Sequence, residues 1–201
     1  FVLSSTGLGL ALLARRPAAA VILAVAVAVN GVDLARYWLP AAVRTATDDS
    51  RSIRLVSMNV RRINRDTAAA VAYLRGNRPD VAVVLEVDEH WGTALEGLDD
   101  VFPHRVLVPR PDNFGIAVLS RFPLAETRIE AFTASGYPSI VATVRPDSGD
   151  HEAVDFRLIA THPYPPFHAT AWTTLLAHLR GVATEARRGP LPCVVRSEEH
   201  T

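Results

Sequence analysis

The fold turns on PDVAVVLEVDEHW, residues 79–91. Five of the six residues from Val81 to Glu86 are apolar and β-prone, the composition of a buried strand, yet the run closes on the carboxylate of Glu86. A charge at the end of such a strand belongs at the rim of a sheet. There it faces solvent, pairs with an arginine, or binds a cation.

Upstream, IRLVSMNV (53–60) reads as a second strand, and between the two Asp66 is placed to cap a helix in DTAAAVAYLRG that Gly76 would stop. Strand, helix, strand is a right-handed parallel crossover, which puts Asn59 and Glu86 at the same end of neighbouring strands. Downstream, DEHWGTALEGL reads as a helix. HRVLV, FGIAVLS, LAETRIEAF, PSIVATVR and VDFRLIATH then follow in quick succession, separated by RPDN, RFP, SGYP and RPDSGD. Gaps that short favour antiparallel neighbours. A long helix, about His168 to Arg187, and a last strand in LPCVV complete the pattern, and there are no internal repeats.

The first 40 residues differ in character. FVLSSTGLGLALLA and PAAAVILAVAVAVNGVDLARYWLP flank Arg15 and Arg16. The second run, Pro17 to about Leu39, matches the ~20 residues that span a bilayer, with Tyr37 and Trp38 in the place of an interfacial aromatic belt. A transmembrane anchor is therefore expected in residues 1–40. Asn30 and Asp33 would be costly in hydrocarbon, so a signal-like or interfacial segment is the other reading. With Arg15 and Arg16 on the cytoplasmic side, everything after Trp38 would lie outside, although Arg36 and Arg44 pull the other way. Residues 41–52 have the small, polar composition of a linker, residues 53–195 form the expected globular domain, and RSEEHT (196–201) reads as a non-native tail without function.

The chain has 201 residues, 49% of them apolar, which is enough for a real core. Its net charge is zero, which argues against a strongly basic nucleic-acid platform without excluding a local arginine patch. All 21 basic residues are arginine, consistent with a GC-rich bacterial genome, and the lone Cys193 excludes an internal disulfide and a cysteine zinc site.

Asn59, Glu86 and His162 each end a strongly apolar strand, so parallel strands would bring the three together. Carboxylate and amide oxygens suit a hard divalent cation, making Glu86 a candidate metal ligand. His162, in IATHPYPP, is placed for proton exchange on a proline-stiffened loop, or is a hydrogen-bonded structural histidine. In RPDNFGIAVLSRFP (110–123), Asp112 and Asn113 precede a strand beginning near Gly115, where they could meet phosphate or simply make a hairpin turn. His90, His104, His151, His168 and His178 share no ligand spacing and read as surface or packing residues. Trp91 and Trp172 read as core.

In this order, LVSMNV, PDVAVVLEV, NFGIAVLSRFP and LIATHPYPP resemble the endonuclease/exonuclease/phosphatase superfamily over about residues 53–195, with the greatest similarity to a bacterial membrane-anchored branch. The resemblance implies an α+β (mixed α/β) four-layer αββα sandwich, incomplete at its C-terminus, with a site at one rim of the paired sheets. It implies one or two divalent metals, Mg²⁺ or Mn²⁺, with Glu86 as metal ligand, Asn59 beside metal and phosphate, His162 assisting phosphate binding or leaving-group protonation, and Asn113 near substrate phosphate. The family's Gly-Asp-Phe-Asn and terminal Asp-His motifs do not follow Val195, so the chain as given is expected to be an inactive part of a membrane-tethered phosphoesterase on the extracytoplasmic side of a bacterial membrane. A catalytically inactive membrane-anchored binding module with the same sandwich is the alternative. Nucleic acid, a phospholipid head group and a small phosphoester all remain open as substrate, and no obligate protein partner is implied.

Overall fold

The computed structural model describes residues 17–38, 52–146 and 154–197. The chain divides into two units, Phe1–Ser50 and Arg51–Thr201. The first contributes one described element, helix α1 (Pro17–Trp38). It coincides with the expected span, and Val21, Ile22, Val25 and Val29 are each at least 58% exposed. Among the described residues, however, no helix is long and apolar enough to cross a membrane. The first apolar run, the side chains of Asn30 and Asp33, the interfacial Tyr37 and Trp38 side chains and nearly all of the 41–52 linker lie outside the described residues.

The second unit runs β1 (Leu55–Asn59), α2 (Ala68–Asn77), β2 (Val81–Leu85), α3 (Glu89–Glu96), β3 (His104–Val108), β4 (Ile116–Ser120), β5 (Leu124–Glu130), β6 (Ser139–Val144), β7 (Phe156–Ala160), α4 (Ala169–Ala186) and β8 (Cys193–Arg196). These strands form two four-stranded sheets, ordered β1-β2-β4-β3 and β5-β6-β7-β8. As the crossover required, β1 and β2 are parallel, with Asn59 opposite Leu85. The short-gap strands are antiparallel, and β8 returns parallel to β7 across α4.

Alternation along β2 shows the layering. Val81, Val83 and Leu85 join Ile116 and Val118 against Ile140, Leu158 and Ala160 of the second sheet. Ala82 and Val84 face the other way, onto Leu74 of α2 and Trp91 and Leu95 of α3. On the far side Val182 of α4 covers Val141 and Ile159. Helices, sheet, sheet and helix thus make four layers, the expected sandwich. Each buried aliphatic side chain in them contributes about 1.5–3 kcal/mol.

Local chemistry sets the helix ends. Asp66 is not the N-cap of α2: that position falls to Thr67, which makes no side-chain cap, and Asp66 accepts from Ala68 N at 3.1 Å one residue earlier, whereas Asp88 caps α3 by accepting from Trp91 N at 3.0 Å. Gly76 does not stop α2, which continues to Asn77 and ends at Arg78 in the left-handed region (φ 43°) with its N–H on Leu74 O. Pro79 explains the stop, because the residue before a proline is pushed out of the helical region. At the other end of the domain β8 continues through Arg196, one residue past the expected tail boundary, and residues 198–201 lie outside the described residues.

Candidate metal and phosphate site

The apolar run of β2 stops at Leu85, and Glu86 follows in the left-handed region (φ 62°). For a non-glycine residue this conformation costs about 1–3 kcal/mol, and such strain clusters at functional sites. It also breaks the strand's alternation, since Val84 and Val87, three residues apart, both pack on the helix side. The carboxylate between them is 7% exposed. Its Oε1 accepts from Asn59 Nδ2 at 2.9 Å and its Oε2 from Arg62 N at 3.2 Å, so both oxygens are oriented. Asn59 Oδ1 accepts from Arg61 N at 2.8 Å, where Arg61 is itself left-handed (φ 54°).

The 109–115 loop closes onto this rim through Gly115. Val87 N donates to Gly115 O at 3.1 Å, and Arg110 N to Val87 O at 3.0 Å. A Cβ on Gly115 would stand 1.8 Å from Val87 O, so only glycine permits the approach. The result is that Arg62 Nε donates to Asn113 Oδ1 at 3.1 Å, tying the loop to the residue that holds Glu86. Asp112 is turned elsewhere: it takes a two-pronged bond from Arg110 (2.9 and 2.6 Å) and caps Phe114 N at 3.0 Å. The Arg110 guanidinium holds the Asp112 carboxyl below its ordinary value. Asp112 therefore shapes the loop, and Asn113 is the loop residue joined to the site.

His162, 3% exposed, comes from the second sheet, two residues past the end of β7. Its ring lies 5.6 Å from that of Phe114, the neighbour of Asn113. Phe114 stacks on Tyr137 at 3.6 Å, and Tyr164, two residues after His162, lies 5.8 Å from both. Asn59, Glu86, Asn113 and His162 are thereby linked through Arg62 and Phe114, which sequence reasoning missed. The Arg61-Arg62 pair, one residue beyond Asn59 after Val60, was a usable signal for Arg62. The Phe114–Tyr137 stack unites separate sheets and leaves no local pattern.

His178, read as a surface or packing residue, does pack, with polar partners, and of the two tryptophans read as core one is not. His178 is buried, and its Nε2 lies 2.6 Å from Thr161 Oγ1, which lies 2.7 Å from Ser139 Oγ. Burial, aided by nearby His162, lowers the His178 pKa. Trp91 is in the core, but Trp172 is 52% exposed because it lies on the solvent side of α4, one residue off the buried row Ala171, Leu175, His178 and Val182.

The donor set fits a hard divalent cation. Mg²⁺ is commonly bound through one or two carboxylates and completes its octahedron with water and phosphate oxygens, and Glu86 supplies such a carboxylate, already oriented. Among the described residues no group of three or more His, Cys, Asp or Glu could hold a metal. A cation here would therefore draw on the Glu86 carboxylate and complete its shell with water and substrate oxygens.

The Endonuclease/Exonuclease/phosphatase family profile matches residues 56–195, from β1 through β8. The chain belongs to that family. Solved structures of the same fold agree: D. rerio TDP2 complexed with single strand DNA product (17% identity, TM-score 0.56, covering 73% of this chain and 59% of that one), an AP endonuclease from Archaeoglobus fulgidus (13%, TM-score 0.56, 73% and 56%), and an endonuclease/exonuclease/phosphatase protein from Beutenbergia cavernae (21%, TM-score 0.54, 73% and 47%). No curated protein sequence matches. The chain spans between 47% and 59% of the length of these three family structures.

Proposed function

We propose that the whole protein is a divalent-metal-dependent phosphoesterase with its site at the Glu86 rim. The observation that carries this reading is a buried carboxylate, at a strained residue, with one oxygen oriented by Asn59 and the other by Arg62 N. Mg²⁺ or Mn²⁺, when bound, would supply Lewis acidity toward phosphoryl oxygens and lower the pKa of bound water. Glu86 holds that cation, and Asn59 keeps the carboxylate turned toward it. The Arg62 guanidinium and the Asn113 amide offer donors to substrate phosphate, and His162 passes a proton to the departing oxygen.

A nucleic-acid phosphodiester is the substrate class favoured here, because D. rerio TDP2 was solved with a single strand DNA product. The exposed aliphatic row of α1 supports attachment of the protein to a bacterial membrane, and Arg15 and Arg16 on its N-terminal flank support placing the domain on the outer side. Membrane flotation of a deletion lacking residues 1–40 tests that point, and undiminished flotation contradicts it.

The test of the activity is hydrolysis of a panel of nucleic acid, phospholipid and small phosphodiesters by the whole protein with Mg²⁺. The expected result is Mg²⁺-dependent turnover that falls by about 100-fold or more in Glu86→Gln, the size of effect that one electrostatic group contributes. Unchanged turnover in Glu86→Gln contradicts the assignment, and metal binding without turnover on any substrate makes the domain a binding module.

A further inference from the structure

We infer that His178 is a positioning residue for His162: its ring pins the Thr161 hydroxyl, and with it the backbone from which His162 enters the site. The inference rests on the reading of His162 as the site's proton donor.

His178 falls on the buried face of α4 between Leu175 and Val182, where an aliphatic residue would complete an apolar row. A polar ring there is tolerated only when hydrogen-bonded. Its partner is Thr161 Oγ1 at 2.6 Å, which is shared with Ser139 Oγ at 2.7 Å, and all three residues are at most 2% exposed. The Thr161 side chain is thus held from α4 on one side and from β6 on the other. Its main chain is held too, by Thr161 N on Arg196 O at 2.9 Å.

The next residue is His162, followed by Pro163, which confines His162 to extended backbone. His162 is therefore fixed from before by the Thr161 bonds and from after by the proline ring. The ring of His178 is itself enclosed. Phe132 meets it edge-on at 5.5 Å, and one turn along α4 a Cβ on Gly181 would come within 2.9 Å of Phe132 Cβ. The absent side chain at Gly181 lets Phe132 close over the histidine.

The test is NMR of the full 201-residue chain at fixed pH, following the His162 ring Cε1–Hε1 signal, assigned by its loss in His162→Gln. Thr161→Val, which keeps shape and deletes the hydroxyl, moves that signal by more than its linewidth, whereas Thr161→Ser restores the wild-type position. His178→Phe moves it as well, and the double variant Thr161→Val/His178→Phe adds no further shift, as expected for one chain of bonds. A His162 signal unmoved in Thr161→Val overturns the inference, and so does an equal shift in Thr161→Ser. Because the signal is a ring resonance and not turnover, this result is separate from that of Glu86→Gln, which decides the phosphoesterase reading.

Discussion

Among the described residues two glutamates are buried, and they are held in different ways. Glu185, in the last turn of α4, is 4% exposed and is surrounded by guanidinium groups: Arg128 and Arg157 donate to it, and Arg188 lies 3.0 Å from its Oε2. Glu86, in the left-handed region at the end of β2, is oriented by the Asn59 amide and the Arg62 main-chain N–H. The first carboxylate sits in relaxed helix and is matched by charge. The second sits where the backbone is strained, and the Asn59 amide and the Arg62 main-chain N–H each donate to one of its oxygens. Burial alone does not tell the two carboxylates apart; the backbone conformation does.

That contrast can be broken most directly by deleting each carboxylate. Removing one partner of a buried ionic cluster costs about 3–5 kcal/mol, so Glu185→Ala should lower the urea midpoint by a large margin. Glu86→Gln keeps an acceptor for Asn59 and should change stability by no more than about 1 kcal/mol while abolishing cation binding. Equal destabilisation by the two would erase the distinction.

Gly115→Ala comes next. Its Cβ would overlap Val87 O, so the 109–115 loop must shift, at an expected cost of about 3 kcal/mol in denaturant unfolding. A neutral effect would mean the loop does not depend on that approach.

A smaller effect tests the strain. Glu86→Ala and Glu86→Gly both delete the carboxylate that Asn59 and Arg62 N bond, but only glycine is free of the left-handed penalty, so the Gly variant should be about 1 kcal/mol more stable than the Ala variant. Equal stability of the two would show that the backbone there is not strained.

The smallest effect concerns pH. Burial and His162 place the His178 pKa below its ordinary value of 6.5. The unfolded chain therefore takes up a proton first as pH falls. The contribution of neutral His178 to stability is whole above about pH 6.5 and is lost as pH drops through the folded-state value. Urea midpoints measured across that window should fall less steeply in His178→Phe than in wild type.

The parts legible in the sequence are those where a local period or a breach of it carries the information. Short, nearly continuous apolar runs located β1, β2, β4 and β7, and the charge that ends the β2 run marked Glu86 as a rim residue. Both the parallel β1–β2 pair and the antiparallel order of the later strands followed from connection lengths. The positive φ at Glu86 was not legible, because nothing in LEV distinguishes a strand that ends straight from one that turns. The roles of Arg62, Phe114 and His178 depend on partners 17 to 51 residues away, beyond any local window. Trp172 was misplaced because tryptophan's size suggests burial, whereas its position one residue off the buried face of α4 puts it in solvent.

The central claim, that the Glu86 carboxylate holds a divalent cation, is tested most directly by Mn²⁺ titration of the isotope-labelled chain followed by NMR. Selective broadening of the Asn59, Arg62, Glu86 and Asn113 amide signals, lost in Glu86→Gln and unchanged in Arg188→Gln, is the predicted result. Broadening that persists in Glu86→Gln, or that centres on Glu185, would contradict it.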